Sequence, residues 1–212
     1  MPKLKKPHVV EAATPELARP DWIVVALALV GLAVAGYLTA LKLGGTQAFL
    51  CRGGSGCDLV QASRYSVLAG VPTAMWGAAI YLAIAVLAAM PRTARRWQAA
   101  FMLVSGAVAF SLYLTYISIF VIGSTCPYCL ASGGTAVALL VVMLWRRPAE
   151  QGRHAAAYKP GRLAGLGITA GVFTVLLGAF IFAADFSVPA GYQSALARHM
   201  AKSQVIFYGA FW

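Results

Sequence analysis

The stretch from residue 97 to residue 145 reads WQAAFMLVSGAVAFSLYLTYISIFVIGSTCPYCLASGGTAVALLVVMLW. It contains two apolar runs, Trp97 to Ile122 and Pro127 to Trp145, joined by only a few residues. Each run is long enough to cross the hydrocarbon core of a bilayer as a helix, which takes about 20 residues. The stretch therefore predicts two consecutive membrane helices, with a Cys-Pro-Tyr-Cys motif where one ends and the next begins.

The rest of the chain follows the same pattern. Its 212 residues are 60% hydrophobic and 11% charged, whereas ordinary soluble domains are about 25% charged. Three more runs have the length of a membrane span, namely Trp22 to Leu43, Val71 to Met90 and Leu163 to Ala184. We therefore expect an all-α membrane protein with five transmembrane helices, surrounded by membrane lipid.

The basic residues predict the orientation in the membrane. The formal net charge is +11, but the basic residues lie in short clusters between apolar runs, so nucleic acid is not indicated as a partner. Most of the 17 basic residues fall before the first run, between the second and third, and between the fourth and fifth. The positive-inside rule then puts the N-terminus in the cytoplasm, and the cysteines and the C-terminus outside. In a bacterial inner membrane the outer side is the periplasm, where disulfides persist.

The motif Cys126-Pro127-Tyr128-Cys129 stands at a predicted helix N-terminus. Proline suits the first helical turn, and the positive end of the helix dipole favours a thiolate there. We interpret the motif as redox-active and expect Cys129 to lie deeper than Cys126. The alternatives are a structural disulfide and half of a zinc site. The three histidines lie in the tails and the cytoplasmic loop, so a zinc site would need cysteine ligands alone, and we predict no metal.

A second pair of cysteines, Cys51 and Cys57, lies in the polar loop CRGGSGC after the first apolar run. The glycines of this loop allow it to close a disulfide. They also allow the loop to move. A purely structural disulfide gains little from this flexibility, whereas a shuttle between two partners needs it. Two cysteine pairs on one side of the membrane indicate electron transfer between water and the bilayer.

The ordered motifs of the chain resemble those of a known family. They run Cys51-x5-Cys57-x5-Ser63, then Gly70-Val-Pro72, then Cys126-Pro-Tyr-Cys129. Over residues 22 to 184 the chain resembles bacterial homologues of vitamin K epoxide reductase. The resemblance implies a four-helix bundle around a quinone, and a fifth helix that leads to a thioredoxin-like domain.

The resemblance also implies roles for individual residues. A partner thiol would attack Cys57, and Cys51, thus freed, would attack Cys126. Cys129 would then pass electrons to the quinone, which in a bacterium is ubiquinone or menaquinone. Ser63 matches a loop Ser/Thr of the family near the quinone, and its alternative interpretation is a hydroxyl that caps a turn. The chain would thus reoxidise a thioredoxin-like thiol oxidase and support disulfide bond formation.

Two other functions fit parts of this pattern. The first is a different type of quinone-linked, four-helix disulfide oxidase. In that type the second cysteine pair follows the CxxC motif, whereas here it precedes the motif. The other is a non-enzymatic membrane scaffold with two structural disulfides. Redox titration separates an enzyme from a scaffold, because structural disulfides have potentials below about −300 mV.

The two ends of the chain are predicted to lie outside the membrane domain of residues 22–184. Residues 1–21 contain four prolines and no apolar period, which indicates a cytoplasmic tail. Residues 185–212 are interpreted as a periplasmic linker and the start of a thioredoxin-like domain, because Phe207-Tyr-Gly-Ala-Phe-Trp212 resembles the lead-in to a thioredoxin active site. We expect the parent gene to continue with a CxxC motif, so the partner is either fused or separate. The alternative is an aromatic tail at the membrane interface.

Overall fold

A computed structural model describes residues 20–44, 56–147 and 160–184. Its helices are α1 (Trp22–Gly44), α2 (Gly56–Ala62), α3 (Thr73–Ala89), α4 (Ala94–Tyr116), α5 (Pro127–Trp145) and α6 (Pro160–Ala183). A 3-10 turn covers Arg64–Ser66, and α4 continues as a π-helix over Ile117–Ile122. Cys51, most of the predicted N-terminal tail and the predicted thioredoxin lead-in lie outside the described residues.

The five long helices correspond to the five predicted spans. Of the described helices, α1, α4 with its π-helical end, α5 and α6 are long and apolar enough to cross a membrane. Helix α3 is a shorter apolar helix of 17 residues, or about 25 Å at ~1.5 Å per residue, which is near the lower limit for a span. The prediction of an all-α membrane protein is confirmed.

The core of the bundle forms where α1, α3, α4 and α5 meet. Helix α1 packs between α3 and α5, while α4 packs against α3, α5 and α6. Ile84 of α3, Val104 of α4 and Leu139 of α5 are completely buried there. Large side chains on the outside of the bundle, such as Phe120 and Trp145, are 72% and 85% exposed, as lipid-facing residues of a membrane protein are.

A tight turn leads from α2 into α3. Val67–Leu68 (β1) and Val71–Pro72 (β2) form a two-residue antiparallel ladder. Gly70 turns the chain with φ of +79°, a left-handed conformation that glycine adopts without steric cost. Pro72 is the N-cap of α3. Gly70 and Pro72 thus mark the point where the segment after α2 ends and α3 begins.

The opposite end of the bundle is tied together by Asp21, which the sequence analysis assigned to the N-terminal tail. Asp21 is only 7% exposed, and its backbone N–H donates to the Ala88 carbonyl at 3.1 Å. Its carboxylate accepts hydrogen bonds from Arg92 and, at 3.0 Å, from Arg146. These contacts join the start of α1, the α3–α4 connection and the end of α5. The anchored part of the chain thus begins before α1.

Candidate active site

The CPYC motif forms the N-terminus of α5, as predicted. Cys126 is the N-cap and Pro127 is the first helical residue. The backbone N–H of Cys129 donates to the Sγ of Cys126 at 3.4 Å. Both cysteines are free thiols, of which Cys126 is buried and Cys129 is exposed. One helical turn thus presents two thiols in different environments.

The connection before this motif is fixed by its own hydrogen bonds. The π-helix Ile117–Ile122 ends at Gly123, which has φ of +72°. The Ser118 hydroxyl donates to the Ser124 carbonyl at 2.6 Å, and the Ser124 N–H donates back to the Ser118 carbonyl at 3.0 Å. A π-helical turn is rare and often marks a functional site. Here it sets the backbone that carries Cys126.

The neighbouring thiol makes Cys126 more acidic. The hydrogen bond from the Cys129 side chain is the main cause that lowers the pKa of Cys126 from 9.0 to about 7. Burial of the thiol acts in the opposite direction, and the backbone N–H groups of Cys129 and Tyr128 add to the lowering. Because the thiolate is the nucleophile in disulfide exchange, the lowered pKa favours the nucleophilic form of Cys126.

Replacing Cys129 by alanine should therefore raise the pKa of Cys126 towards its ordinary value. A lowered pKa means that the thiolate persists down to about pH 7 and is lost below it, so the variant should lose its thiolate at a higher pH. The ultraviolet absorbance of the thiolate, followed against pH in reduced protein, measures this change. Tyr128→Phe keeps the backbone donors and is the control. An unchanged titration in Cys129→Ala would contradict the assigned cause.

Helix α2 brings Cys57 to the CPYC motif. Cys57 lies in the first turn of α2, is 3% exposed and is disulfide-bonded. It packs in one buried cluster with Cys126, which is 1% exposed, and with half-buried Val60 and Tyr128. The structure therefore brings together one cysteine of each predicted pair.

The approach of α2 depends on Gly56. A Cβ atom at this position would lie 2.6 Å from the Thr125 carbonyl oxygen and 3.0 Å from the Thr125 backbone nitrogen. The chain at Thr125 leads directly into Cys126, so the start of α2 lies against the backbone of the CPYC connection. Glycine is the one residue type that permits this approach, and it stands next to Cys57.

A cavity of about 390 Å³ lies at the same end of the bundle. Its lining is apolar for the most part and includes both Cys126 and Cys129, so we name it the thiol cavity. The lining comes from α2, the following turn and the neighbouring ends of the five long helices, with residues such as Leu38, Val60, Trp76, Ile80, Phe110, Leu114, Leu130 and Leu177. The thiols thus open onto an apolar site inside the bundle.

A sequence model described as the vitamin K epoxide reductase family matches residues 22–144. The chain belongs to this family. The match covers more than half of the chain and contains all four cysteines. The chain is therefore a multi-pass membrane thiol–disulfide oxidoreductase, in a family that uses quinones.

The thiol cavity fits the quinone that the vitamin K epoxide reductase family uses. Its volume of about 390 Å³ lies in the usual range for small-molecule sites, roughly 300–1,000 Å³. A quinone ring is flat and mostly apolar, which matches this lining. Within the described residues, no group of three His, Cys, Asp or Glu side chains lies close enough to hold a metal ion.

The position of Cys57 argues against the order of transfer that the sequence analysis expected. In that order a partner thiol attacks Cys57, and Cys51 then attacks Cys126. A thiol that is 3% exposed is poorly placed to meet an external protein. Cys57 is instead placed next to Cys126, because α2 packs against the CPYC connection.

The Ser63 hydroxyl donates to the Val60 carbonyl at 2.7 Å, which is the turn-capping alternative of the sequence analysis. Ser63 also lines the thiol cavity, so its predicted role near a quinone stays a prediction. The Lys42 ammonium donates to the Gln61 carbonyl and, at 3.1 Å, to the Ser66 hydroxyl. These bonds attach the end of α2 and the turn that follows it to the end of α1.

Several residues of the site were not predicted from the sequence. Trp76 and Tyr81 both line the thiol cavity. Each also makes a hydrogen bond, from Trp76 Nε1 to the Leu68 carbonyl at 3.3 Å and from the Tyr81 hydroxyl to the Ser132 carbonyl at 2.6 Å. Among the described residues that line the cavity, Lys42 is the only charged one. In the sequence, the feature that could have identified Lys42 as a site residue was its position at the end of an apolar run.

Proposed function

We propose that the protein transfers electrons from a thioredoxin-like thiol oxidase to a membrane quinone, through Cys51 and Cys57 and then Cys126 and Cys129. The setting is the bacterial inner membrane, with the cysteines on the periplasmic side and ubiquinone or menaquinone as acceptor. The observation that carries this proposal is the buried contact of Cys57 with Cys126, beside a cavity that Cys129 also lines.

The first exchange reduces the loop pair, Cys51 and Cys57. We take Cys51 as the disulfide partner of Cys57. A partner thiolate attacks Cys51, which forms a mixed disulfide and releases the Cys57 thiolate. The second thiol of the partner then attacks the mixed disulfide and releases Cys51. The partner leaves as a disulfide, and both loop cysteines are reduced, so two electrons have entered the chain.

The second exchange moves these electrons to the CPYC motif. The Cys57 thiolate attacks Cys126 of an oxidised CPYC pair, forms a Cys57–Cys126 disulfide and releases the Cys129 thiolate. Cys51 then attacks Cys57, which restores the loop disulfide and leaves Cys126 and Cys129 reduced. Cys126 and Cys129 would then give up two electrons and two protons to a quinone held in the thiol cavity, and would close to their disulfide again.

The thiol states in the structure match one stage of this cycle. Cys57 is disulfide-bonded, while Cys126 and Cys129 are free. With Cys51 taken as the partner of Cys57, this arrangement corresponds to the proposed stage before the acceptor takes electrons. The lowered pKa of Cys126 supports its role as the thiol that exchanges with Cys57.

Trapping of the partner tests the order of transfer. In Cys57→Ala no second loop thiol is present to attack the mixed disulfide between Cys51 and the partner. A partner that lacks its own second thiol is therefore supplied as a mixed disulfide with a small thiol. Cys51 should attack the partner's sulfur, release the small thiol and accumulate as an adduct with the partner, visible on a non-reducing gel. Cys51→Ala should trap little partner, because the remaining Cys57 is buried. Efficient trapping by Cys51→Ala alone would restore the order expected from the sequence.

A further inference from the structure

Helix α6 lies outside the family match over residues 22–144, yet it forms part of the thiol cavity. Its lining residues are Thr174, Leu177, Gly178 and Ile181. They follow the spacing i, i+3, i+4, i+7, which is one face of a helix. The last two turns of α6 therefore present a continuous face to the cavity.

This face is held close to α4 by small residues. A Cβ atom at Gly171 would lie 3.1 Å from the Cβ of Ala109, and one at Gly178 would lie 2.5 Å from the Phe110 ring. On α4, a Cβ atom at Gly106 would lie 2.8 Å from the Thr174 hydroxyl. Small residues at such positions let two membrane helices approach closely. Helix α6 is thus an integral member of the bundle.

The C-terminal end of α6 is also fixed to the segment that follows α2. The Arg64 guanidinium donates to the Phe182 carbonyl at 3.2 Å, among the last carbonyls of the helix. The Tyr65 and Phe182 rings meet edge to face, with centroids 5.3 Å apart. Phe182 is 4% exposed and stacks over Phe110, which lines the cavity. These contacts fix the position of the lining face of α6 at the cavity.

We propose that α6 is a fifth wall of the acceptor site, where Leu177 and Ile181 contact the apolar part of a bound quinone. This proposal rests on the proposed function. The helix expected to be only a link to another domain then takes part in substrate binding. Leu176, the neighbour of Leu177, is 64% exposed on the outside of α6 and does not line the cavity.

A pair of adjacent substitutions tests this role. Leu177→Trp fills space in the cavity, whereas Leu176→Trp adds the same bulk on the outside of α6. We expect Leu177→Trp to weaken the binding of a short-chain quinone by about tenfold, in line with the usual effect of small steric changes in apolar pockets. Binding is measured as quinone-dependent thermal stabilisation of the detergent-solubilised protein. Leu176→Trp should bind like the wild type.

Kinetics separate this proposal from the proposed function. In Leu177→Trp, KM for the quinone should rise about tenfold, while disulfide exchange with the partner stays at the wild-type rate. If Leu177→Trp does not fold, Leu177→Ala replaces it and should also weaken binding. Wild-type binding and KM in the folded Leu177 variant would overturn the role of α6 and leave the proposed function intact. A wild-type protein that reduces no quinone would overturn the proposed function itself.

Discussion

Cys129→Ser is expected to abolish quinone reduction while the loop cysteines still exchange with a partner. The CPYC pair needs both thiols to deliver two electrons, and a serine hydroxyl cannot form the disulfide that results. Cys57 and its contact with Cys126 are unchanged by this substitution, since Cys129 lies one turn further along α5. We expect turnover to fall to the background rate of the thiol partner with quinone alone.

Quinone absorbance under anaerobic conditions measures the loss, with a reduced thioredoxin-like protein as donor. The redox state of the loop pair, read by alkylation and mass spectrometry, shows whether the partner still delivers electrons. Tyr128→Phe alters the same turn without removing a thiol and should keep turnover. Persistent quinone reduction by Cys129→Ser would show that the electrons bypass this thiol.

Gly56→Val is expected to slow electron transfer from Cys57 to Cys126 by about 100-fold, the usual cost when reacting groups are misplaced by about 1 Å. The added side chain meets the backbone of Thr125, since a Cβ atom alone would lie 2.6 Å from its carbonyl oxygen. A backbone atom cannot rotate away as a flexible side chain does. The start of α2 must therefore move away from the CPYC connection, which separates the two cysteines.

The transfer is measured by reducing the loop pair first and following oxidised CPYC as it becomes reduced. Gly36→Ala is a matched control in α1, because no atom lies within 4 Å of a Cβ there. In Gly56→Val the partner should still reduce the loop pair, which separates a positioning effect from general misfolding. Wild-type transfer in this variant would show that α2 does not need this contact.

The sequence predicted the elements of the site better than their arrangement. The position of the CPYC motif followed from local chemistry, since Pro127 marks the first turn of a helix and apolar runs flank it. By contrast, the segment CRGGSGC contains nothing that shows which of its cysteines faces the CPYC motif. The burial of Cys57 depends on the contact of Gly56 with Thr125, which is remote in the sequence.

The sequence pattern also could not predict which residues line the thiol cavity. A helix in a membrane is apolar on every side, so the lining face of α6 does not differ in polarity from its lipid-facing side. Leu176 and Leu177 are the same residue type, and only packing decides which of them lines the cavity. Lys42 and Asp21 stood out as charges beside apolar runs, but their partners lie in other parts of the chain.

The ion pairs of Asp21 have a consequence for biogenesis. Asp21 precedes its two partners by 71 residues for Arg92 and by 125 residues for Arg146. A growing chain therefore inserts α1 long before both arginines have been synthesised, and the second pair forms only once α5 has been completed. Because the carboxylate is buried, pairing with Arg92 already offsets its charge, and the pair with Arg146 adds the contact to the end of α5. The ion pairs at the end of the bundle remote from the cysteines are therefore completed only after α5 has been made.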